Sequence, residues 1–183
     1  MSPLRRPVLP LLCSLAVLAS CEPVTAPESD ATLTRFAVGT LVPLTGHGPY
    51  AAAGGSIDCP GLGTVPAIWA GSGQMSHFGK TEVVATWQTC TLNAQGQLVQ
   101  TGIFSVAGAN GDAIEGTFTQ IFTRFPDNTF FILDPMTITG GTGRFAGVTG
   151  SMEGSGTFDP AIAGGELELR GTMTPPGVSK QSP

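Results

Sequence analysis

The sequence predicts an all-β domain, an antiparallel eight-stranded up-and-down β-barrel, with a β-sandwich as the alternative. The chain of 183 residues contains 26 glycines and 15 prolines, which interrupt its apolar runs. Between Arg35 and Pro175 the longest stretch without glycine or proline is 80–95, which is rich in Thr and Val and alternates in polarity. A helix therefore has almost no place to begin, and short strands joined by tight turns account for the pattern.

Eight strands are expected along the barrel domain, which we place at residues 34–175. Asn93-Ala94-Gln95-Gly96 and Ala109-Asn110-Gly111-Asp112 separate alternating runs, and Asn-Gly pairs supply the positive φ values that a tight hairpin needs. Asp127-Asn128 and Gly164-Gly165 repeat the pattern. The predicted strands are 34–42, 65–75, 80–92, 97–107, 112–124, 129–139, 148–159 and 164–174.

The strand at 112–124 shows most clearly how the barrel interior is encoded. Ile114, Phe118 and Phe122 fall on one face, whereas Glu115 and Thr117 fall on the other. Each strand of such a barrel is expected to have one apolar face towards the interior and one solvent-exposed polar face.

Residues 43–63 form a long Gly-, Ala- and Pro-rich stretch, which we interpret as a connection without strands. Structureless connections longer than about 12–15 residues are uncommon in compact domains and tend to be lids, binding loops or disordered segments. We expect a lid over one barrel mouth, and simple disorder is the alternative.

The amino terminus has the pattern of a bacterial lipoprotein signal peptide, which we place at residues 1–20. Arg5 and Arg6 precede the apolar run 8–18, which is too short to span a bilayer. The run ends in Leu18-Ala19-Ser20-Cys21, which resembles the lipobox, where cleavage before the cysteine leaves a lipid-modified thiol. The resemblance implies that Cys21 carries acyl chains such as palmitate, and an ordinary signal peptide is the alternative.

Residues 21–33 then read as a lipidated cysteine followed by a flexible tether, and residues 176–183 as a disordered tail. An Asp after the lipidated cysteine resembles the inner-membrane retention signal of some enteric bacteria, and Glu22 stands there instead. We therefore expect the barrel to be anchored in the bacterial cell envelope and, in a host with two membranes, at the outer membrane. The net charge of −5 becomes more negative when Arg5 and Arg6 are removed, and no basic stripe is present. Nucleic acid is therefore not an expected partner.

Removal of the signal peptide and lipidation of Cys21 leave Cys59 and Cys90 as an even pair in an oxidising compartment. We predict a disulfide between them, with two buried free thiols as the alternative. Neither has a neighbouring Cys or His at ligand spacing, so no metal site and no cofactor are expected.

Three segments resemble, in this order, a group of secreted bacterial β-barrel proteins: Ser76-His77-Phe78-Gly79-Lys80, Ala109-Asn110-Gly111-Asp112 and residues 138–150. The last contains Gly140-Gly141-Thr142-Gly143-Arg144-Phe145, which resembles the Gly-Gly-x-Gly-x-Phe segment of plant allene oxide cyclases and dirigent proteins, whose fold is an eight-stranded calycin-like barrel. The resemblance covers roughly residues 64–173. It implies an apolar cavity for a hydrophobic molecule, and no catalytic residue of either family has a matching position here.

Individual candidate site residues are few. His77 is the candidate acid or base, although a histidine beside a glycine turn is more often structural. Phe118, Phe122 and Arg144 are the candidate ligand contacts, and Arg144 is also suited to pairing with a rim carboxylate. No nucleophile elbow, zinc-protease motif or phosphate loop is present in the sequence.

We therefore expect a lipid-anchored barrel that binds an apolar or amphipathic small molecule such as a fatty acid, or that serves as a structural or interaction module. The alternative is a cyclase- or isomerase-type enzyme acting on a hydrophobic substrate, which requires a titratable group inside the barrel. Oligomeric state stays open.

Overall fold

The computed structural model describes residues 40–177. The signal peptide, Cys21, the tether and the tail after residue 177 lie outside the described residues. The strands are β1 (Val42–Gly54), β2 (Ile57–Cys59), β3 (Gly63–Val65), β4 (Ile68–Met75), β5 (Gly79–Leu92), β6 (Leu98–Gly108), β7 (Ala113–Arg124), β8 (Phe130–Gly141), β9 (Gly150–Asp159) and β10 (Gly164–Met173). A 3-10 turn, Gly143–Phe145, lies between β8 and β9. Within residues 40–177, no hydrophobic helix reaches the length needed to span a membrane.

Eight strands form a closed antiparallel barrel. Strands β4 to β10 pair with their neighbours in chain order, and β1 completes the ring by pairing with both β4 and β10. The strands β2 and β3 form a separate two-stranded hairpin between β1 and β4. The predicted antiparallel eight-stranded barrel is confirmed, and its architecture is compatible with a calycin-like barrel.

The first barrel strand is β1, and it corrects the predicted strand 34–42, of which residues 34–39 lie outside the described residues and 40–41 are not in a strand. Residues 43–54 belong to β1, so the expected strandless connection 43–63 is largely a barrel strand followed by β2. Glycines allow β1 and β4 to approach closely, because a Cβ at Gly48 of β1 or Gly73 of β4 would overlap the backbone of the opposite strand. The other seven strands lie close to their predicted positions.

The two ends of the barrel differ. The closed end, which we define by the β4–β5, β6–β7 and β8–β9 connections, is filled by apolar side chains. Phe145 is fully buried there and stacks on Phe78 with 4.1 Å between ring centroids. Other fully or almost fully buried residues towards this end are Val42, Leu44, Val106, Ile114, Ile138, Val148 and Met173. The open end, which we define by the β5–β6, β7–β8 and β9–β10 turns, lies opposite.

The turns and the inward and outward faces of the strands contain the residue types that the local structure requires. Asn93 Oδ1 accepts hydrogen bonds from the backbone N–H groups of Gln95 and Gln97, and Gly96 and Gly111 have positive φ. Along β7, the predicted inner face is buried and the predicted outer face is exposed or partly exposed. Alternation along the strands therefore separates core from solvent as expected.

Replacing Phe145 by alanine should lower the free energy of unfolding by about 3 to 5 kcal/mol, because it empties a fully enclosed site at the closed end. Chemical denaturation measures this difference. Phe125→Ala is the matched control, since Phe125 is 41% exposed and its loss should cost less than about 1 kcal/mol. Equal losses in the two variants would contradict the assignment of Phe145 to the core.

Candidate functional site

The β2–β3 hairpin borders the open end and is tied to the barrel by a disulfide. Cys59 of β2 is bonded to Cys90 of β5, with 5.1 Å between their Cα atoms, so the predicted disulfide is confirmed. The buried Gln100 places its Nε2 at 3.4 Å from Cys59 Sγ and 3.5 Å from Cys90 Sγ. The bridge therefore fixes the hairpin at the side of the barrel mouth.

A cavity of about 610 Å³, which we call the mouth cavity, occupies the open end. Residues 61, 62, 65 and 66 of the hairpin and its flanks form one wall. The other walls come from the barrel strands and their turns. Their main side chains are Trp69, Trp87, Leu98, Gln100, Phe122, Arg124, Phe130 and Phe158. Its volume lies in the range of small-molecule sites, about 300–1,000 Å³.

Aromatic rings line the passage from the mouth cavity into the barrel. Trp69 lies 4.9 Å from Trp87 and 5.3 Å from Phe158, measured between ring centroids. Phe122 lies 6.0 Å from Trp87 in an edge-to-face arrangement. The Trp69 indole N–H donates to the Pro66 carbonyl at 3.2 Å, which fixes the ring orientation. We call Trp69, Trp87, Phe122 and Phe158 the aromatic ring set.

A smaller cavity of about 60 Å³, the inner cavity, lies deeper in the barrel. The aromatic ring set lines both cavities, so the two share a boundary. Three polar side chains converge on the inner cavity from three different strands: Tyr50 of β1, Gln120 of β7 and Asp134 of β8. The remaining lining is dominated by apolar side chains, including Phe118, Ile132, Met136 and Leu167.

Asp134 is the buried carboxyl of this cavity. Its residue is 6% exposed, as is Gln120, whose Nε2 donates to Asp134 Oδ2 at 3.3 Å. Asp134 Oδ1 and Gln120 Oε1 are buried and have no hydrogen-bond partner. Gly154 of β9 leaves room for the carboxyl, because a Cβ there would lie 3.1 Å from the Asp134 Cβ.

Burial controls the protonation of this site. It raises the pKa of Asp134 to about 7, and the hydrogen bond from Gln120 opposes that shift. Burial also raises the pKa of Tyr50, and the nearby Asp134 charge adds to the effect. The Tyr50 hydroxyl donates to the Thr157 carbonyl at 3.0 Å. The cavity therefore contains a neutral phenol and a carboxyl that exchanges its proton near neutral pH.

The candidate residues from the sequence fall into two places. Phe118 and Phe122 line the inner cavity. His77 and Arg144 lie at the closed end. His77 occupies an exposed left-handed turn, and its Nε2 lies 2.9 Å from the Pro43 carbonyl oxygen. Neither His77 nor Arg144 lines the inner or mouth cavity.

Arg144 is held by closed-end contacts. Its Nε lies 3.1 Å from Asp112 Oδ2, and its guanidinium lies over the Phe145 ring and donates to the His77 carbonyl. These contacts place Arg144 at the rim, far along the strands from Phe118 and Phe122. The structure therefore does not bring the four candidate side chains into one site.

Sequence reasoning missed Asp134, Gln120 and Tyr50. A signal was present for two of them, because Asp134 falls in phase with buried Ile132 and Met136, and Gln120 falls between Phe118 and Phe122 on the inner face. A polar residue in phase with the apolar face of a predicted strand marks a buried polar position. Tyr50 gave no such signal, because its segment was not assigned to a strand.

No family model matches the chain, and the comparisons with curated proteins and with solved structures found no match either.

Replacing Asp134 by asparagine should remove one pH dependence of stability. The folded-state pKa of about 7 lies above the value of ~3.9 expected in the unfolded chain. The folded state thus binds this proton more tightly, and the resulting stabilisation is complete below about pH 4 and is lost as the pH rises through about 7. Relative to Asp134→Asn, the wild type should lose a few kcal/mol over that window, at about 1.4 kcal/mol per pKa unit.

Denaturant unfolding at about pH 5 and about pH 8 measures this difference. Glu166→Gln is the matched control, because Glu166 is exposed on β10 and its removal should leave the pH profile close to that of the wild type. A wild-type profile identical to that of Asp134→Asn would contradict the burial argument.

Proposed function

We propose that the barrel binds an apolar or amphipathic small molecule that enters through the open end. The observation that carries the proposal is the buried Asp134–Gln120 pair, which lines an apolar cavity with two oxygen atoms unpartnered. A buried polar atom without a hydrogen bond costs roughly 1–3 kcal/mol. A purely structural barrel would gain stability from apolar side chains at both positions, as at the closed end, so the polar pair favours ligand recognition.

The aromatic ring set supports the same proposal. Trp69 and Trp87 are the two tryptophans of the chain, and both line the inner and mouth cavities. Large, rigid rings around a concave site supply contact area at a small entropic cost. The proposed ligand therefore places its apolar body against these rings and a polar group near Asp134.

We also propose that the barrel is held at the outer membrane of the bacterial envelope through lipidated Cys21 and the tether. The lipobox resemblance of residues 18–21 supports the anchor. The Cys59–Cys90 disulfide supports export, because disulfides persist in oxidising compartments. The allene oxide cyclase and dirigent resemblance supports a hydrophobic ligand.

Native mass spectrometry of the purified protein, after incubation with a lipid extract of its host, tests the binding proposal. We expect a discrete added mass that is lost in Ala85→Phe, because the Ala85 side chain lines the inner cavity and a phenyl group there would fill it. Val84→Phe is the matched control, since Val84 is the residue before Ala85 on β5 and is 45% exposed. A bare protein mass under every condition would instead favour a structural or interaction role.

A cyclase- or isomerase-type enzyme is the second candidate function, and one observation favours it. Asp134 is a titratable group inside the cavity with a pKa of about 7, which suits a general acid or base. If it moves protons on a bound hydrophobic molecule, incubation in D2O should introduce carbon-bound deuterium into the molecule recovered from the protein. Asp134→Asn should abolish this incorporation, whereas a pure binding protein should produce none.

A further inference from the structure

We infer that the ligand of the inner cavity is an organic ammonium, whose N–H groups bind Asp134 Oδ1 and Gln120 Oε1 while its apolar body lies against the aromatic ring set. The inference rests on the proposed function and names the chemical class of its ligand. It excludes an ionised fatty acid as the preferred occupant.

The two unpartnered oxygens of the polar pair need hydrogen-bond donors. Gln120 uses its Nε2 on Asp134 Oδ2. The atoms left without a partner are both oxygens, Asp134 Oδ1 and Gln120 Oε1. An ionised carboxylate and an amide oxygen only accept hydrogen bonds, so their partner must bring donors. A primary ammonium brings three, whereas a carboxylate brings none.

The charge of the side chains around the inner cavity favours a cation. Among the described residues that line the inner cavity, Asp134 and Tyr50 are the titratable ones, and none is Lys, Arg or His. The Tyr50 hydroxyl donates its hydrogen bond to the Thr157 carbonyl, and Arg124 lines the mouth cavity, where its guanidinium contacts Asn128. The carboxylate therefore has no counter-charge among the described residues that line the inner cavity. A bound cation would supply one, and an anion would add a second negative charge in an apolar site.

Aromatic rings surround the entrance to the inner cavity. A cation near aromatic rings is attracted by their quadrupole, most strongly for Trp, and the attraction grows when water is excluded. Trp69, Trp87 and Phe158 line the inner cavity together with Asp134. A carboxylate below a ring of aromatic side chains is the chemistry that suits an ammonium head.

The volumes of the two cavities indicate where each part of the ligand lies. The inner cavity of about 60 Å³ has room for a small head group, and the mouth cavity of about 610 Å³ has room for an apolar body. A quaternary ammonium would bring charge without N–H donors and would leave both oxygens unpartnered. The site therefore favours a primary amine on an apolar stem.

Binding of such a ligand is coupled to the proton on Asp134. Gln120 from β7, Tyr50 from β1 and the backbone of Gly154 from β9 face this carboxyl, so within residues 40–177 Tyr50 is its titratable neighbour. An ammonium binds the ionised carboxylate, whose pKa in the free protein is about 7. Affinity should therefore rise by about tenfold per pH unit below 7 and level off above it, until the amine itself loses its proton at about pH 10.

Fluorescence titration of the full-length protein tests the inference, because both tryptophans of the chain line the site. The probes are hexylamine, hexanol and hexanoate, which share one stem and differ in the head group. At about pH 8 we expect hexylamine to bind about tenfold or more tightly than hexanol, and hexanoate more weakly than hexanol. Hexyltrimethylammonium should bind more weakly than hexylamine.

Two variants separate recognition from folding. Asp134→Asn should weaken hexylamine binding about tenfold or more, remove its pH dependence and leave hexanol binding within about twofold. Retained hexanol binding shows that this variant is folded. Glu166→Gln removes an exposed carboxylate of β10 and should change neither probe.

Hexanoate binding as tightly as hexylamine, or hexylamine binding unaffected by Asp134→Asn, would overturn the ammonium assignment. So would capture from the host extract of a ligand that carries no amine, and that result would leave the proposed binding function intact. Absence of any bound mass from the extract, together with no response to the four probes, would overturn both.

Discussion

Closure of the hydrogen-bonded ring is the constraint on which the rest of the structure depends. Strand β1 pairs with β10 on one side and β4 on the other, so none of the eight barrel strands is left as an open edge. Closure fixes which face of every strand points inward. It also requires close backbone contact between β1 and β4, which Gly48 and Gly73 permit because neither carries a Cβ.

The barrel interior changes character along its axis. At the closed end, Phe145 and Phe78 stack and the surrounding aliphatic side chains leave the site fully enclosed. Towards the open end, the larger rings of Trp69, Trp87 and Phe122 stand apart and leave two adjoining cavities. Stability and recognition are thus assigned to opposite ends, so the packed end can hold the strands that position the polar pair.

Burial of the polar side chains of Asp134 and Gln120 lowers the folding stability of a small barrel. Burial of Asp134 opposes its ionisation and raises its pKa to about 7, and each of the two side chains has one oxygen without a hydrogen bond. Such a cost is typical of positions that serve a ligand or a reaction rather than folding. The Cys59–Cys90 disulfide adds rigidity beside the same site, because it holds the β2–β3 hairpin against β5 at the mouth.

The local sequence pattern by itself determined most of the strands and turns of this protein. Seven strands, their turns, the inward face of β7 and the cysteine pair could be predicted, because alternation, positive φ at Asn-Gly turns and cysteine parity are properties of short segments. The same reasoning failed for β1. Its Gly- and Pro-rich sequence resembles a loop, and pairing with two partner strands supplies the hydrogen bonds that make it a strand.

The site was decided by the tertiary structure. Tyr50, Gln120 and Asp134 are separated by up to 84 positions and meet because ring closure places β1, β7 and β8 around one cavity. The same closure leaves His77 and Arg144 at the other end. Alternation of apolar and polar residues predicts which side chains point inward. The space left between these side chains depends on how their volumes fill the whole barrel, and only the tertiary structure gives that.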